Sequence, residues 1–293
     1  MKHIISATLV AGALALGTTA ASAADMALKA PEIAPVFTWT GWYIGGNVGW
    51  MRGNADIDPV CSSFNNPDCP TLFPGFAFTT NVPGVPPITT VVPAALGALP
   101  GVSGSDKSFI GGGQIGYNWE VQHAIFGVEA DLDWTHIRMS LSQNAIAPPG
   151  SAPGFFGIVN ANSAFSNDWV GSVRGRLGLA FDRFMIYGTG GLAFAGTTVN
   201  TAWVYTPPAG AIPAFNLPGP TGNNEPQVLM GWTAGVGGEW YVGERISVGA
   251  EYRHSDFGHQ NYTIGFDTTG VPISANIHYT TDQVTVRANW HFN

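Results

Sequence analysis

The stretch from Phe126 to Trp134 constrains this chain most. Phe126, Val128, Ala130, Leu132 and Trp134 share one parity, and Gly127, Glu129, Asp131 and Asp133 share the other. A helix, at 3.6 residues per turn, would mix the two sets. A strand, with its period of two, separates them. One face is apolar and the other carries three carboxylates. A soluble sheet turns the carboxylates to water, whereas a membrane barrel turns the apolar face to lipid and the polar face to its lumen.

The same period recurs along the chain. The first strand opens at Trp42, with Ile44, Gly46, Val48 and Trp50 on its face and Tyr43, Gly45, Asn47, Gly49 and Met51 opposite. Further strands are expected at about 108–119, at the Phe126 stretch, at 169–181, at 184–197, from Val228 to Trp240, from Ile246 to Arg253 and from Gln283 to Phe292. The first connection is about 55 residues long and holds nine prolines. Such a length is unusual inside a compact domain. The turns at Glu120–His123, Asp182–Arg183 and Val242–Arg245 are short, and long connections fall between them, reaching about Asn167, Pro226 and Ile277. This rhythm predicts an all-β, eight-stranded antiparallel up-and-down transmembrane β-barrel with short periplasmic turns and four long external loops.

Composition agrees. Charged residues make up 10% of the chain, against a usual figure near 25%, and no stretch after the leader is long and apolar enough for a helical span. Residues 1–23 read as a signal peptide, with Lys2 before an apolar run and Ala21-Ser22-Ala23 as a cleavage site. Removing Lys2 moves the net charge from −8 to −9. With no basic run, the acidic chain is expected to have no nucleic-acid partner. Residues 24–41 then form a periplasmic lead, and 42–293 form the barrel. Cys61 and Cys69, the only cysteines, are expected to pair in an exported chain. The small loop they close would contribute roughly 2–3 kcal/mol.

Aromatic residues bracket the apolar faces. Trp42 and Trp50, Phe126 and Trp134, and Trp232 and Trp240 stand eight residues apart on one parity. That spacing covers roughly 27 Å of strand, or about 20 Å after a 40° tilt, close to an outer-membrane apolar band. Trp119, Trp169, Trp290 and Phe292 complete the expected aromatic girdle. Nine charged strand residues take the opposite parity: Glu129, Asp131, Asp133, Arg174, Arg176, Glu239, Glu251, Arg253 and Arg287. An eight-stranded barrel is only wide enough for its side chains to fill. They are therefore expected to form a lumen ion-pair network, with Arg174 and Arg176 partnering the three acids of the neighbouring strand. Inward glycines at 45, 49, 112, 116, 127 and 178 are expected to make room for the arginines.

Several motifs continue this pattern: Trp39-Thr40-Gly41-Trp42-Tyr43-Ile44-Gly45-Gly46, Gly111 to Trp119, Val173-Arg174-Gly175-Arg176-Leu177-Gly178, Tyr187-Gly188-Thr189-Gly190-Gly191, Glu251-Tyr252-Arg253 and Asp256-Phe257-Gly258. Together they resemble the small outer-membrane β-barrel ("porin family") proteins of alphaproteobacteria, relatives of the OmpA and OmpX barrels. The resemblance implies a surface protein of the cell outer membrane that supports envelope integrity and host contact. It implies outer-membrane lipid and the barrel-assembly machinery as partners. Some such proteins are haem-binding and others porin-like. The family usually ends on an aromatic residue, whereas here Phe292 is followed by Asn293.

Other constellations are weaker. Gly111-x-Gly113-x-x-Gly116 matches a dinucleotide fingerprint by letter but lies within a strand and lacks the helix that motif needs. Glu129, Asp131 and Asp133 could be a cation site or catalytic carboxylates, but they read better as partners for arginines. His136, His254, His259 and His278 lie in or beside external loops, where haem or a metal could bind, though scattered surface histidines usually bind nothing. Ser255, His254 and Asp256 are adjacent in sequence, so a strand would split them over two faces. No enzyme, no cofactor and no metal site is expected. The leading reading is a structural and surface-contact barrel with a filled lumen. The alternatives are a narrow-pore porin for ions or small solutes, and loop-mediated binding of haem or a host factor.

Overall fold

The computed structural model describes residues 38–59, 76–80, 83–84, 86–92, 101–144, 158–206, 224–266 and 272–292. The expected signal-peptide segment, residues 1–23, and both cysteines of the expected pair lie outside them. Ten strands run in chain order: β1 (Gly41–Pro59), β2 (Phe76–Thr80), β3 (Ile88–Val92), β4 (Val102–Val121), β5 (Ala124–Asn144), β6 (Ile158–Phe181), β7 (Phe184–Thr206), β8 (Asn224–Tyr241), β9 (Ile246–Phe266) and β10 (Pro272–His291). Eight of them close an antiparallel barrel in the order β1-β10-β9-β8-β7-β6-β5-β4, with β4 returning to β1. Closure pairs both edges of every barrel strand, which is what a bilayer demands of backbone polar groups.

Two features depart from the sequence expectation. β2 and β3 form a separate two-stranded sheet within the first long connection. The barrel strands also outrun their expected bounds, at 18 to 24 residues each. Eighteen residues of strand span roughly 60 Å, far more than the hydrocarbon core. The surplus therefore stands beyond the outer aromatic belt, at the end away from the short turns.

Parity in the membrane section follows the sequence. Among the described residues, 32 large apolar side chains are exposed, including Ile44, Val128, Leu132, Val173, Leu192, Val236 and Val286. No water-facing monomer carries such a surface, and lipid is its matching solvent. Of the expected girdle, Trp42, Trp119, Phe126, Trp240, Trp290 and Phe292 stand outward near the short turns. Trp50, Trp134 and Trp232 stand outward about eight residues higher. Trp169 is half-buried beside Trp134, its indole lying where a Cβ on Gly196 would be.

Candidate functional site: the lumen

The interior has three storeys. At the end that carries the short turns, Trp39 is fully buried in a cluster with Ile125, Ala180, Met185, Tyr187 and Tyr241. Its indole N–H donates to the carbonyl of Asp182 at 3.1 Å, and its ring meets Tyr241 edge-on at 4.5 Å. The segment before β1 is held there by Glu120, whose Oε2 accepts from the Trp39 backbone N–H at 2.8 Å and from Thr38 Oγ1 at 3.0 Å. Sequence reasoning quoted Trp39 only as part of a motif. Its parity with Tyr43, which points inward, was the signal for its place.

The middle storey is polar. All nine charged residues of the expected network lie inside and are nearly inaccessible. Arg174 is the hub, 2.5 Å from Glu129, 2.5 Å from Glu251 and 3.2 Å from Asp131. Arg253 crosses the lumen to Asp131 at 2.8 Å and Asp133 at 2.9 Å. Arg287 joins Glu129 at 2.9 Å and Glu251 at 3.3 Å. Two of the pairings differ from expectation. Arg176 faces Gly127 on its neighbour strand, so it turns the other way, stacks on Tyr187 of β7 at 3.6 Å and reaches past it to Glu239 of β8 at 2.5 Å. Asp133 takes Arg253 rather than an arginine of β6. In so narrow a cylinder the far wall is as near as the adjacent strand.

The glycines also serve other residues than expected. A Cβ on Gly116 would lie 2.4 Å from the Tyr43 ring, and one on Gly237 would lie 2.5 Å from the Tyr187 ring. Gly116 therefore seats a tyrosine and not an arginine, and Gly237, outside the expected set, does the same. Gly127, beside the Arg176 Cβ at 3.5 Å, comes nearest the original expectation, although Asn118 Oδ1 is closer still at 2.5 Å. Tyr43 in turn donates to Glu129 at 2.7 Å and Tyr187 to Glu251 at 3.1 Å.

The outer storey is apolar. Met51, Ile57, Ile110, Ile137, Met139, Leu141, Phe165, Phe257, Tyr262 and Tyr279 pack together inside the barrel. Above Asp256, β9 leaves β8, and Tyr262 meets Thr197 of β7 at 2.7 Å, drawing the top of the barrel inward.

A serine, a histidine and an acid meet inside the barrel. Ser247 Oγ lies 2.8 Å from His291 Nε2 and also donates to Glu239. The acid thus engages the serine and lies 3.6 Å from that same histidine nitrogen, all three residues are buried, and Tyr241 and Trp39 cover the histidine. Ser255 points inward to Thr233, whereas His254 and Asp256 sit on the outer face. The four loop histidines stand within the strand extensions. His254 pairs with Asp282 at 2.8 Å, His278 with Asp256 at 3.0 Å, and His259 stacks on His278 at 4.6 Å. His136 is exposed on β5. No group of three ligating side chains suited to a metal occurs among the described residues. Burial alone would raise the Asp256 carboxyl, but the Gly258 backbone N–H and His278 outweigh it and hold it below its usual value.

Comparison with known proteins follows this geometry. The family model for the outer membrane protein beta-barrel domain matches residues 11–292. A 31 kDa outer-membrane immunogenic protein of Brucella melitensis is 29% identical over 285 residues, covering 95% of this chain and 96% of its own. A 22 kDa outer membrane protein of Rhizobium leguminosarum is 27% identical over 186 residues, covering 60% of this chain and 70% of its own. Among solved structures, the Escherichia coli outer membrane protease OmpT aligns with TM-score 0.42 and 8% identity, over 89% of this chain and 99% of its own.

Proposed function

Given that the chain belongs to the outer membrane β-barrel domain family, we propose that it is a non-conducting, non-enzymatic surface barrel of the outer membrane, with an envelope-integrity and surface-contact role. One observation carries this reading: the lumen is filled at all three levels, by Trp39 and its neighbours, by the ion-pair network, and by the apolar cluster. Opening the middle level would separate charges from their partners in a poorly hydrated space, and breaking one such pair costs about 3–5 kcal/mol. The rigid cylinder then presents its long external connections as contact area. The Brucella relative is named as immunogenic, which agrees with a surface-exposed role.

Planar-bilayer recording of the purified protein is the test. A silent bilayer with folded protein inserted is the expected result. Stable single-channel steps would overturn the reading in favour of a narrow pore.

A further inference from the structure

The chain has only eleven lysines and arginines, so their places carry information. Four arginines are in the lumen. Arg183 and Arg245 are on short turns, and Lys2 and Lys29 fall outside the described residues. The remaining three, Arg52, Lys107 and Arg138, occupy the outward faces of β1, β4 and β5, just beyond Trp50, Phe109 and Trp134. Arg138 is ion-paired with Asp168 at 2.5 Å. Arg52 and Lys107 are direct cross-strand partners, both exposed.

The nearby acids have partners besides these cations, although Arg52 also acts electrostatically on Asp282, its cross-strand partner. Asp282, beside Arg52 on β10, accepts from Tyr252 at 2.7 Å and meets His254 at 2.8 Å. Asp106 accepts from the backbone N–H groups of Lys107 and Arg138, both at 2.8 Å. Two cations thus sit at the height where outer-leaflet head groups lie.

Further along the same strands, toward the bilayer centre, the outer wall is hollowed by a groove of about 720 Å³. Gly46, Val48, Gly111, Val248, Val286 and Ala288 line it. Nothing within the barrel requires glycine at its floor. A Cβ on Gly46 or on Gly111 would come no nearer than 3.5 Å to any neighbour, whereas one on Gly45 or Gly112 would come within 2.1 Å. Glycine inside a strand is otherwise a cost. Other outward glycines, such as Gly113, Gly188 and Gly238, have the same room, so what sets 46 and 111 apart is that they lie on the floor of this groove. Arg52 lies six residues above Gly46, about 20 Å along the strand and about 15 Å along the membrane normal. That depth is comparable with half of an apolar band about 25 Å tall.

We propose that Arg52, Lys107 and the groove beneath them form a binding site for one phosphorylated acyl lipid of the outer leaflet. The phosphate meets the two cations, and an acyl chain passes Trp50 and fills the groove.

Native mass spectrometry of the full barrel in mild detergent tests this, with bisphosphorylated lipid A and its dephosphorylated form as probes. One lipid per barrel is expected, with the phosphorylated form preferred. Replacing both cations with glutamine (Arg52→Gln, Lys107→Gln) should weaken the phosphorylated form about thirtyfold, at about 1 kcal/mol per basic residue beside an anionic surface, and leave the other form unchanged. Gly46→Leu should weaken both forms. Gly238→Leu, at an outward position with similar room on β8, should weaken neither. A heat-shift gel verifies that each variant is folded. Equal affinity for the two forms, or indifference of the phosphorylated form to loss of both cations, would overturn the proposal. A two-chain species abolished by Gly46→Leu would assign the groove to a second copy and overturn it as well.

Discussion

β5 passes through two regions that obey opposite rules. Between Phe126 and Trp134 its inward residues are Glu129, Asp131 and Asp133, and its outward ones are Val128, Leu132 and their neighbours. Between Ile137 and Leu141 the inward residues are Ile137, Met139 and Leu141, and the outward ones are Arg138 and Ser140. The strand is the same and the inward parity is the same, yet the polarity reverses. Alternation therefore specifies only that a strand has two faces. The solvent beyond the wall decides which face is oily: lipid below the outer belt, water above it. Above the belt the barrel has the apolar core of a soluble protein. Below it, the interior is free to be polar because the exterior already satisfies the bilayer.

Perturbations matched across the two regions sharpen this contrast. The largest effect is expected in the lumen. Arg174→Leu leaves Glu129 and Glu251 to share Arg287 alone, with one buried cation fewer for three buried acids, and should cost about 3–5 kcal/mol in urea unfolding of the micelle-bound barrel. Within the apolar storey, Phe165→Ala should cost about 3 kcal/mol by leaving a cavity, with lost amide protection confined to the extensions. A charge on the outer wall separates the regions on one strand. Ala130→Arg, midway between Phe126 and Trp134, should destabilise by about 2–4 kcal/mol, and Ser140→Arg by no more than about 0.5 kcal/mol. Equal costs would break the comparison.

The smallest effect concerns pH. Burial acts to raise the Asp256 carboxyl, but its hydrogen bonds with Gly258 and His278 prevail and lower it. Its contribution is therefore complete above the ordinary carboxylate value near 3.9 and is lost as pH falls through the lowered value. Measured against the intrinsic amide rate, which itself slows on acidification, outer β9 and β10 should lose protection below about pH 3.9, by an amount worth less than about 1 kcal/mol, and Asp256→Asn should remove that dependence.

The membrane section was legible because its residues keep one parity from belt to belt, as in Trp42–Trp50 and Phe126–Trp134. The extensions were not, for two physical reasons. Their apolar face points inward, so a search for outward apolar residues dissolves them into loop. Bulges also break the period. On β6 the inward set passes from Ser163, Phe165 and Asn167 to Val170, Ser172 and Arg174 across the shift between Asn167 and Trp169. On β9, Gly258 with φ of 64° separates inward Phe257 from inward Tyr262. The charged lumen residues could be read by parity alone. Their cross-lumen partners, such as Arg253 with Asp131 and Asp133, could not, because strand sequence encodes neighbours but not the far wall.

Spin-label accessibility along β5 tests the central claim most directly. Nitroxides placed singly at the outward positions 126 to 144 would be probed with oxygen, which favours lipid, and with a water-soluble nickel chelate. The account expects oxygen to dominate from Phe126 to Trp134 and the chelate to dominate from Arg138 onward, with the crossover at the bulge between Trp134 and Ile137. Chelate access at Leu132, or oxygen dominance persisting to Ser142, would contradict it.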